Sequence, residues 1–436
     1  MEFSSKFFEN RQCKFFPCHN LQGDFNCLFC YCPLYTREVC PGNPSFIKKE
    51  NGTLVKRCTD CTFPHKPENY ERIMNLLRAA RNEIDFTEYH HGGEIFSDIK
   101  YDFSVNTNPL GLSETVKNAL QSSFLEFERY PDQNCTLLRE NLSEREGIQK
   151  KNIVFGNGAS ELISLAVHAI MPKSALIIEP AFYGYEKALK ICYSKINRHV
   201  LTEEDDFILG EDIFDSIRNV KPDMIFLCTP DNPTGRMADF SILKKLIEYC
   251  EKSEIFLFVD ECFIDFTEKK GESALRFIDK NPHLIVLNAF TKIYAMAGLR
   301  LGYIVTSNES LLQKINFIKP EWNVSKAAQT AGIAALSDSN SGYLSETRNL
   351  IKKEREYLSE NLKKSGFKVF KSDANFVLFK DIYCKTQKLD DFLLQRDILI
   401  RNCSNFTGLT DKFYRIAVRN HEENEKLIDH LKNYKN

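Results

Sequence analysis

The chain has no surplus of charge of either sign: 58 Lys and Arg stand against 60 Asp and Glu, a formal net charge of −2 over 436 residues. With both signs mixed along the sequence, there is no electrostatic footprint for nucleic acid or for an anionic membrane surface. A long apolar run is also missing. The longest, near Ile163 to Met171, contains His168 and is too short to span a bilayer. The opening, Met1 to Gln12, has no apolar core followed by a small-residue cleavage site, so no export signal is expected. A cytoplasmic, reducing setting is the expectation that follows, with neither nucleic acid nor membrane as partner. What the chain does have is length for two or three domains and a 43% apolar content, enough for a substantial core.

Cysteine is plentiful and unevenly spread. Of 15 cysteines, eight fall within the first 61 residues: Cys13, Cys18, Cys27, Cys30, Cys32, Cys40, Cys58 and Cys61. In a reducing compartment, clustered thiols read as metal ligands rather than disulfides. Cys27-Leu-Phe-Cys30 and Cys58-Thr-Asp-Cys61 have the spacing that turns two thiolates onto one tetrahedral ion. Prolines, glycines and polar residues separate them, and no long apolar period appears. A domain over residues 1–66 is therefore expected to need metal in order to fold. All eight cysteines are candidate ligands, with His19 and His65 as further ones. Either one four-coordinate site with spare thiols or two sites can be drawn. Zinc is the expected ion for tetrahedral thiolate ligation, with iron as the alternative. The runs Phe16-Pro-Cys-His19, Asp24 to Tyr35 and Cys58 to His65 resemble the small cysteine-rich domain attached to cobalamin-biosynthesis proteins.

Residues 67–96 read as a connecting helix and arm. Pro67-Glu68 opens a helical spacing of Ile73, Leu76, Leu77 and Ala80, and Tyr89-His-His-Gly-Gly-Glu94 follows. Beyond residue 150, apolar strands alternate with helices and carry polar groups at their ends, the pattern of an open, mainly parallel α/β sheet. Asn152 to Glu161 reads as strand, glycine turn and helix start, where Gly158, Ala159 and Ser160 offer free N–H groups to a phosphate. Ala175 to Pro180 delivers Phe182 and Tyr183, and Met224 to Cys228 leads into Asn232-Pro-Thr-Gly235. Asp260 ends the apolar run from Ile255, where a carboxylate needs a partner. Leu284 to Leu287 leads to Thr291-Lys292, with Arg300 in Gly298-Leu-Arg-Leu-Gly302. A lysine in a bounded pocket beside a fixed cation loses its proton readily, as a Schiff-base lysine must.

In this order and spacing, Asn232, Asp260, Lys292 and Arg300 resemble the fold-type I pyridoxal-phosphate (PLP) enzymes, the aspartate-aminotransferase-like superfamily, over about residues 88–430. The resemblance implies an α/β fold-type I PLP-dependent transferase behind the cysteine-rich domain. Its large PLP-binding domain would span 136–310 and its small α/β domain 97–135 and 311–436. Lys292 would carry PLP covalently, Asp260 would meet the ring nitrogen and make the ring an electron sink, and Asn232 would donate to the ring hydroxyl oxygen. Phe182 would stack on the ring, with Tyr183 as the alternative. Gly158, Ala159, Ser160, Thr291 and Arg300 would complete the cofactor site, with Arg300 on the phosphate. Tyr130 would reach the cofactor of a neighbouring subunit, which implies a homodimer.

The His91-Gly-Gly motif and Asn106-Thr-Asn-Pro-Leu-Gly111 resemble the opening of threonine-phosphate decarboxylases, with Glu94 departing from the family's Asn. That likeness implies a small phosphorylated amino-acid substrate. His91, Asn108, Arg401 (on its phosphate) and Arg415 (on its carboxylate) would bind it, and Arg419 could join either anion. Phe263 stands where aspartate-type aminotransferases keep a tyrosine. The implied activity is decarboxylation of L-threonine O-3-phosphate to (R)-1-aminopropan-2-yl phosphate for the cobalamin nucleotide loop, with phosphoserine as a further substrate. Histidinol-phosphate aminotransferase is the alternative within the superfamily. A metal-binding adaptor or regulator with a PLP body is the alternative from another class.

Overall fold

The computed structural model describes residues 3–36, 40–49, 54–82, 99–383 and 385–435, in two compact units, Met1–Glu88 and Tyr89–Asn436. In the first unit regular structure is sparse. Phe3–Ser4 pairs antiparallel with Phe7–Phe8, and Ser45–Lys48 with Leu54–Arg57. Among the described residues its buried apolar side chains are only Phe7, Phe25, Leu34, Cys61, Pro64 and Ile73. So thin a core is marginal without further support. The helix Tyr70–Asn82, expected as a connection, belongs to this unit. It is drawn in by buried Ile73, by stacking of Tyr70 on Phe29 (5.7 Å), and by Lys6, 2.5 Å from Glu71.

The second unit is built on seven strands: β1 (Ile153–Gly156), β2 (Ser174–Glu179), β3 (Lys195–Val200), β4 (Met224–Cys228), β5 (Phe256–Asp260), β6 (Leu284–Ala289) and β7 (Gly302–Val305). Their order across the sheet is β1-β7-β6-β5-β4-β2-β3, and β7 alone runs antiparallel to its neighbours. Every residue of β4 and β6 is buried, as expected for parallel strands covered on both faces. The helix Ala159–Ile170 follows β1, and Phe240–Lys252 crosses from β4 to β5. The candidate groups therefore gather beyond the carboxyl ends of the strands, where open α/β sheets bind ligands.

A second, antiparallel sheet joins Lys368–Val369, Phe376–Lys380, Phe413–Ala417 and Arg401–Asn402. The helical region expected from Leu311 to Ser365 is three helices, Glu309–Ile318, Lys326–Leu336 and Ser341–Lys364. The Asn308 and Ser325 side chains cap the first two by accepting from the Leu311 and Ala328 N–H groups. No helix of the described residues is long and apolar enough to cross a membrane.

Candidate active site

Ten of the side chains singled out in the sequence border one cavity of about 400 Å³: Ala159, Ser160, Phe182, Tyr183, Asn232, Asp260, Phe263, Thr291, Lys292 and Arg300. Gly158 supplies the turn from β1 into the helix at φ +81°, and a Cβ there would stand 2.5 Å from Nη2 of Arg300. Only glycine lets that guanidinium lie against the helix start. The antiparallel return of β7, with Gly302 opposite Gly156, brings Arg300 to this corner. A fixed cation thus adds to the free N–H groups and dipole of the helix N-terminus, which makes an anion cradle.

Asp260, the last residue of β5, is buried with neutral partners. The Tyr185 hydroxyl donates to its Oδ2 at 2.6 Å, and the Cys262 N–H to its Oδ1 at 3.0 Å. Burial raises its pKa, so the carboxylate gains from any cation that docks beside it. Lys292 lies in the short helix Phe290–Ile293 after β6 and donates to Asn106 Oδ1 at 2.9 Å. Burial, then Arg415 and Arg300, lower its pKa to about 8. The amine is poised to lose its proton near neutral pH. Phe263 borders the cavity and packs edge-on against Phe376, with ring centroids 5.1 Å apart.

A smaller cavity of about 120 Å³ shares Phe182, Tyr183, Asn232 and Lys292 with the first, and adds Asn106, Arg401 and Arg415. Arg401 and Arg415 face each other in register on paired strands. Arg415 is buried; it donates through Nη1 to Asn232 and through Nη2 to the Ser104 carbonyl (2.7 Å), while its Nε finds no partner. Burial, with Arg401 adding, lowers its pKa to about 10. Among the described residues, no carboxylate forms an ion pair with Arg415, although the charge of Asp102 acts on it. Arg401 donates to Asn405 at 2.8 Å and lies over the Phe406 ring.

The remaining residues fall elsewhere. Asn108, expected at the substrate, is a buried brace: its amide donates to the Ile293 carbonyl and to Thr347, both at 2.8 Å, and its oxygen accepts from the Leu110 N–H. With those groups engaged, Asn106 is the asparagine that meets the cavity. Arg419 pairs with Glu423 at 2.9 Å instead of joining an anion site. Tyr130 is 80% exposed and packs on Trp322 at 4.6 Å. His91 lies outside the described residues. Tyr185 and Asn106 were not singled out from sequence. A hint existed for Tyr185, three residues after Phe182 at a helix start, the spacing that shares a face.

In the first unit, all eight cysteines are free thiols. Cys30, Cys32, Cys40, Cys58 and Cys61 border a cavity of about 570 Å³ together with His19 and His65. The ligating atoms of Cys18, His19 and His65 lie within 4.8 Å of one another. Cys27 accepts the Asn10 N–H at 3.4 Å, and the Cys13 N–H donates to the Asn10 carbonyl at 3.2 Å.

Residues 98–431 match the aminotransferase class I and II family, and the chain belongs to it. Residues 4–87 match the cysteine-rich small domain. The threonine-phosphate decarboxylase of Salmonella typhimurium is 34% identical over 357 residues, covering 79% of this chain and 96% of that protein. The histidinol-phosphate aminotransferase of Clostridium novyi is 35% identical over 366 residues, covering 82% and 97%. The crystal structure of the histidinol-phosphate aminotransferase from Clostridium acetobutylicum aligns with a TM-score of 0.72 at 34% identity, over 77% of this chain and 99% of that one. The fold-type I architecture expected from sequence, behind a cysteine-rich domain, is borne out.

PLP is the cofactor expected of this family, and the residues present fit it. A phosphate cradle with no room for a Cβ at Gly158, a buried carboxylate with neutral partners, and a lysine of lowered pKa share one cavity.

Proposed function

We propose that this chain is a PLP-dependent decarboxylase that converts L-threonine O-3-phosphate to (R)-1-aminopropan-2-yl phosphate and carbon dioxide. The observation that carries the reading is the pair of guanidiniums, Arg401 and Arg415, facing each other beside Lys292, with Arg415 buried and no carboxylate at ion-pair distance from it among the described residues. A substrate with a carboxylate at one end and a phosphate at the other supplies the missing anions, and arginine suits both by bidentate contact. Histidinol phosphate has only the phosphate, and the 2-oxoglutarate it is paired with has two carboxylates and no phosphate. Phe263 in place of a tyrosine and the His91-Gly-Gly opening support the same reading.

In this scheme Lys292 holds the cofactor, and Arg300 with the Gly158–Ser160 turn holds its phosphate. Phe182 stacks on the ring, Asn232 donates to its hydroxyl oxygen, and Asp260 pairs with its nitrogen. When bound, the cofactor serves as an electron sink for a bond broken at the substrate's Cα. The protein decides which bond that is. Arg415 grips the carboxylate and Arg401 the phosphate, so the substrate is fixed at two points and its Cα orientation is set. The Lys292 amine, held by Asn106, is placed to return a proton at Cα. Phosphoserine differs from the substrate by one methyl, worth about 1 kcal/mol, and is expected to react more slowly but measurably.

Tyr130 is proposed to reach the partner subunit's site. The exposed Phe124, Leu125 and Phe317 would be covered in a homodimer. Zinc, with iron as the alternative, is proposed in the N-terminal unit, and the cytoplasm as the setting.

Incubation with L-threonine phosphate, phosphoserine, or histidinol phosphate plus 2-oxoglutarate tests the assignment. Carbon dioxide from phosphothreonine is expected; glutamate without carbon dioxide would falsify it in favour of the transaminase. In the same assay, Arg415→Lys is expected to lower kcat/KM at least ~100-fold, about 2.7 kcal/mol, because an ammonium cannot reproduce the fork of contacts.

The lysine also sets a pH dependence. Only the neutral amine attacks an aldehyde, and its fraction falls tenfold for each pH unit below about 8. Capture of PLP by cofactor-free protein, followed by stopped-flow absorbance, should therefore rise with pH and level off near that value. A midpoint near that of a free lysine, about 10.4, would show that burial and the two arginines leave the amine unaffected.

A further inference from the structure

In the cysteine-rich unit, two histidines meet one sulfur. Nδ1 of His19 lies 3.2 Å from Cys18 Sγ, and Nε2 of His65 lies 4.0 Å from the same atom. The two imidazole centroids are 4.5 Å apart. The ligating atoms of Cys18, His19 and His65 all lie within 4.8 Å of one another, and no other such convergence of thiol, imidazole and carboxylate groups occurs among the described residues. Bonds to a tetrahedral zinc ion of about 2.3 Å for sulfur and about 2.0 Å for nitrogen place those two atoms about 3.5 Å apart. The two sulfur–nitrogen distances stand on either side of that value.

His65 is held as a ligand would be. It is 1% exposed, and its Nδ1 lies 3.0 Å from the Asn26 carbonyl oxygen, which can only accept. The ring proton therefore sits on Nδ1, and Nε2 keeps its lone pair. The Asn26 N–H donates in return to the His65 carbonyl at 2.8 Å, and the Phe25 ring stacks on the imidazole at 4.6 Å. A metal-bound histidine characteristically donates its other N–H to a carbonyl or carboxylate, which fixes tautomer and orientation. A thiol hydrogen bond is the plainer account of this corner. Cys18 has one proton to give, and its sequence neighbour His19 can take it, which explains the 3.2 Å contact. It does not explain why a buried imidazole 47 residues away turns its lone pair to the same sulfur, with no second proton there to meet it.

We infer that Cys18, His19 and His65 hold one metal ion between them, with its fourth position open to a ligand from outside the chain. The assignment gives a place to the metal proposed above for this unit, and it rests on that proposal. One thiolate and two imidazoles are a donor set that suits zinc. Among the described residues, no fourth cysteine, histidine or carboxylate atom joins the three. His19 and His65 border the cavity of about 570 Å³, which has room for a water molecule or a small anion. Three protein ligands with a free position make a centre that takes up a further ligand, in contrast to a closed structural site. The two CxxC pairs lie outside this centre.

The full-length, cofactor-loaded protein, purified under reducing conditions, tests this by elemental analysis and metal-edge X-ray absorption. His19→Ala and His65→Ala are each expected to release one equivalent of metal to a chelator at least ~10-fold faster than wild type. The shell of that equivalent, taken as the difference between wild type and variant, should hold one sulfur, two imidazole nitrogens and one oxygen from water. Wild-type protein without metal would overturn both this assignment and the metal proposed for the unit. Bound metal with four sulfurs, or three sulfurs and one nitrogen, in that shell would overturn this assignment alone. So would histidine variants that keep every equivalent as tightly as wild type. Should His65→Ala fail to fold, His19→Ala, at a partly exposed position, and the wild-type shell still decide.

Discussion

Replacing Lys292 by alanine is expected to lower turnover of the phosphorylated amino acid by about 10⁴-fold or more, some 5.5 kcal/mol, and to leave no cofactor attached after borohydride reduction. The size follows from the two tasks that the proposed function gives to one amine, covalent capture and proton delivery at Cα. None of its three neighbours substitutes for it: Asn106 carries no titratable proton, and Arg300 and Arg415 have no amine to attack an aldehyde. The variant should nevertheless fold. The folded-state pKa of about 8 lies below the free-lysine value of about 10.4, so the charged amine costs stability at any pH below both. Its removal also relieves repulsion from two arginines. Below pH 8 the Lys292→Ala protein should melt no lower than wild type, while an added small amine such as methylamine restores part of the activity. Mass spectrometry of the reduced protein and a melting curve check both halves. A variant that kept the cofactor covalently bound and turned over at the wild-type rate would remove Lys292 from the chemistry.

Much of this arrangement is legible in the sequence because its causes are local. The runs Met224–Cys228 and Leu284–Leu287 are apolar and buried at every position, since parallel strands covered on two faces have no solvent side to mark. Gly158, Asp260 and Lys292 each stand where a strand ends, so their place in the site follows from strand order. What the sequence does not show is set by pairing between distant segments. The Tyr185–Asp260 contact spans 75 residues. Arg401 meets Arg415 only through the register of two antiparallel strands. Arg300 reaches Gly158 because β7 reverses direction in an otherwise parallel sheet. Asn106 and Asn108 lie in an irregular segment with no periodicity to tell them apart; the structure gives the cavity to the first and the bracing of the lysine segment to the second. The spacing of the CxxC pairs fits metal ligation but does not say how eight thiols would be shared.

Asp260→Asn should cost between about 10²- and 10⁴-fold in kcat, roughly 3–5 kcal/mol, the penalty for removing one partner of a buried ion pair. The amide matches the carboxylate in size, its oxygen can still accept from the Cys262 N–H, and its NH2 can donate to the Tyr185 hydroxyl with that group's role reversed, so packing should survive. What is lost is the negative charge, whose folded-state pKa burial alone has raised. A cationic ring nitrogen beside it would bring that pKa back down, and the same coupling keeps the nitrogen protonated. Tyr185→Phe provides the control, because it removes one hydrogen bond to the charge and leaves the charge in place. It is expected to cost only about 1.5–3 kcal/mol, so the two variants should rank with asparagine the more severe. Measured at saturating cofactor, the reverse order, or an Asp260→Asn enzyme within tenfold of wild type, would mean that the carboxylate holds the site's shape and not the ring's charge.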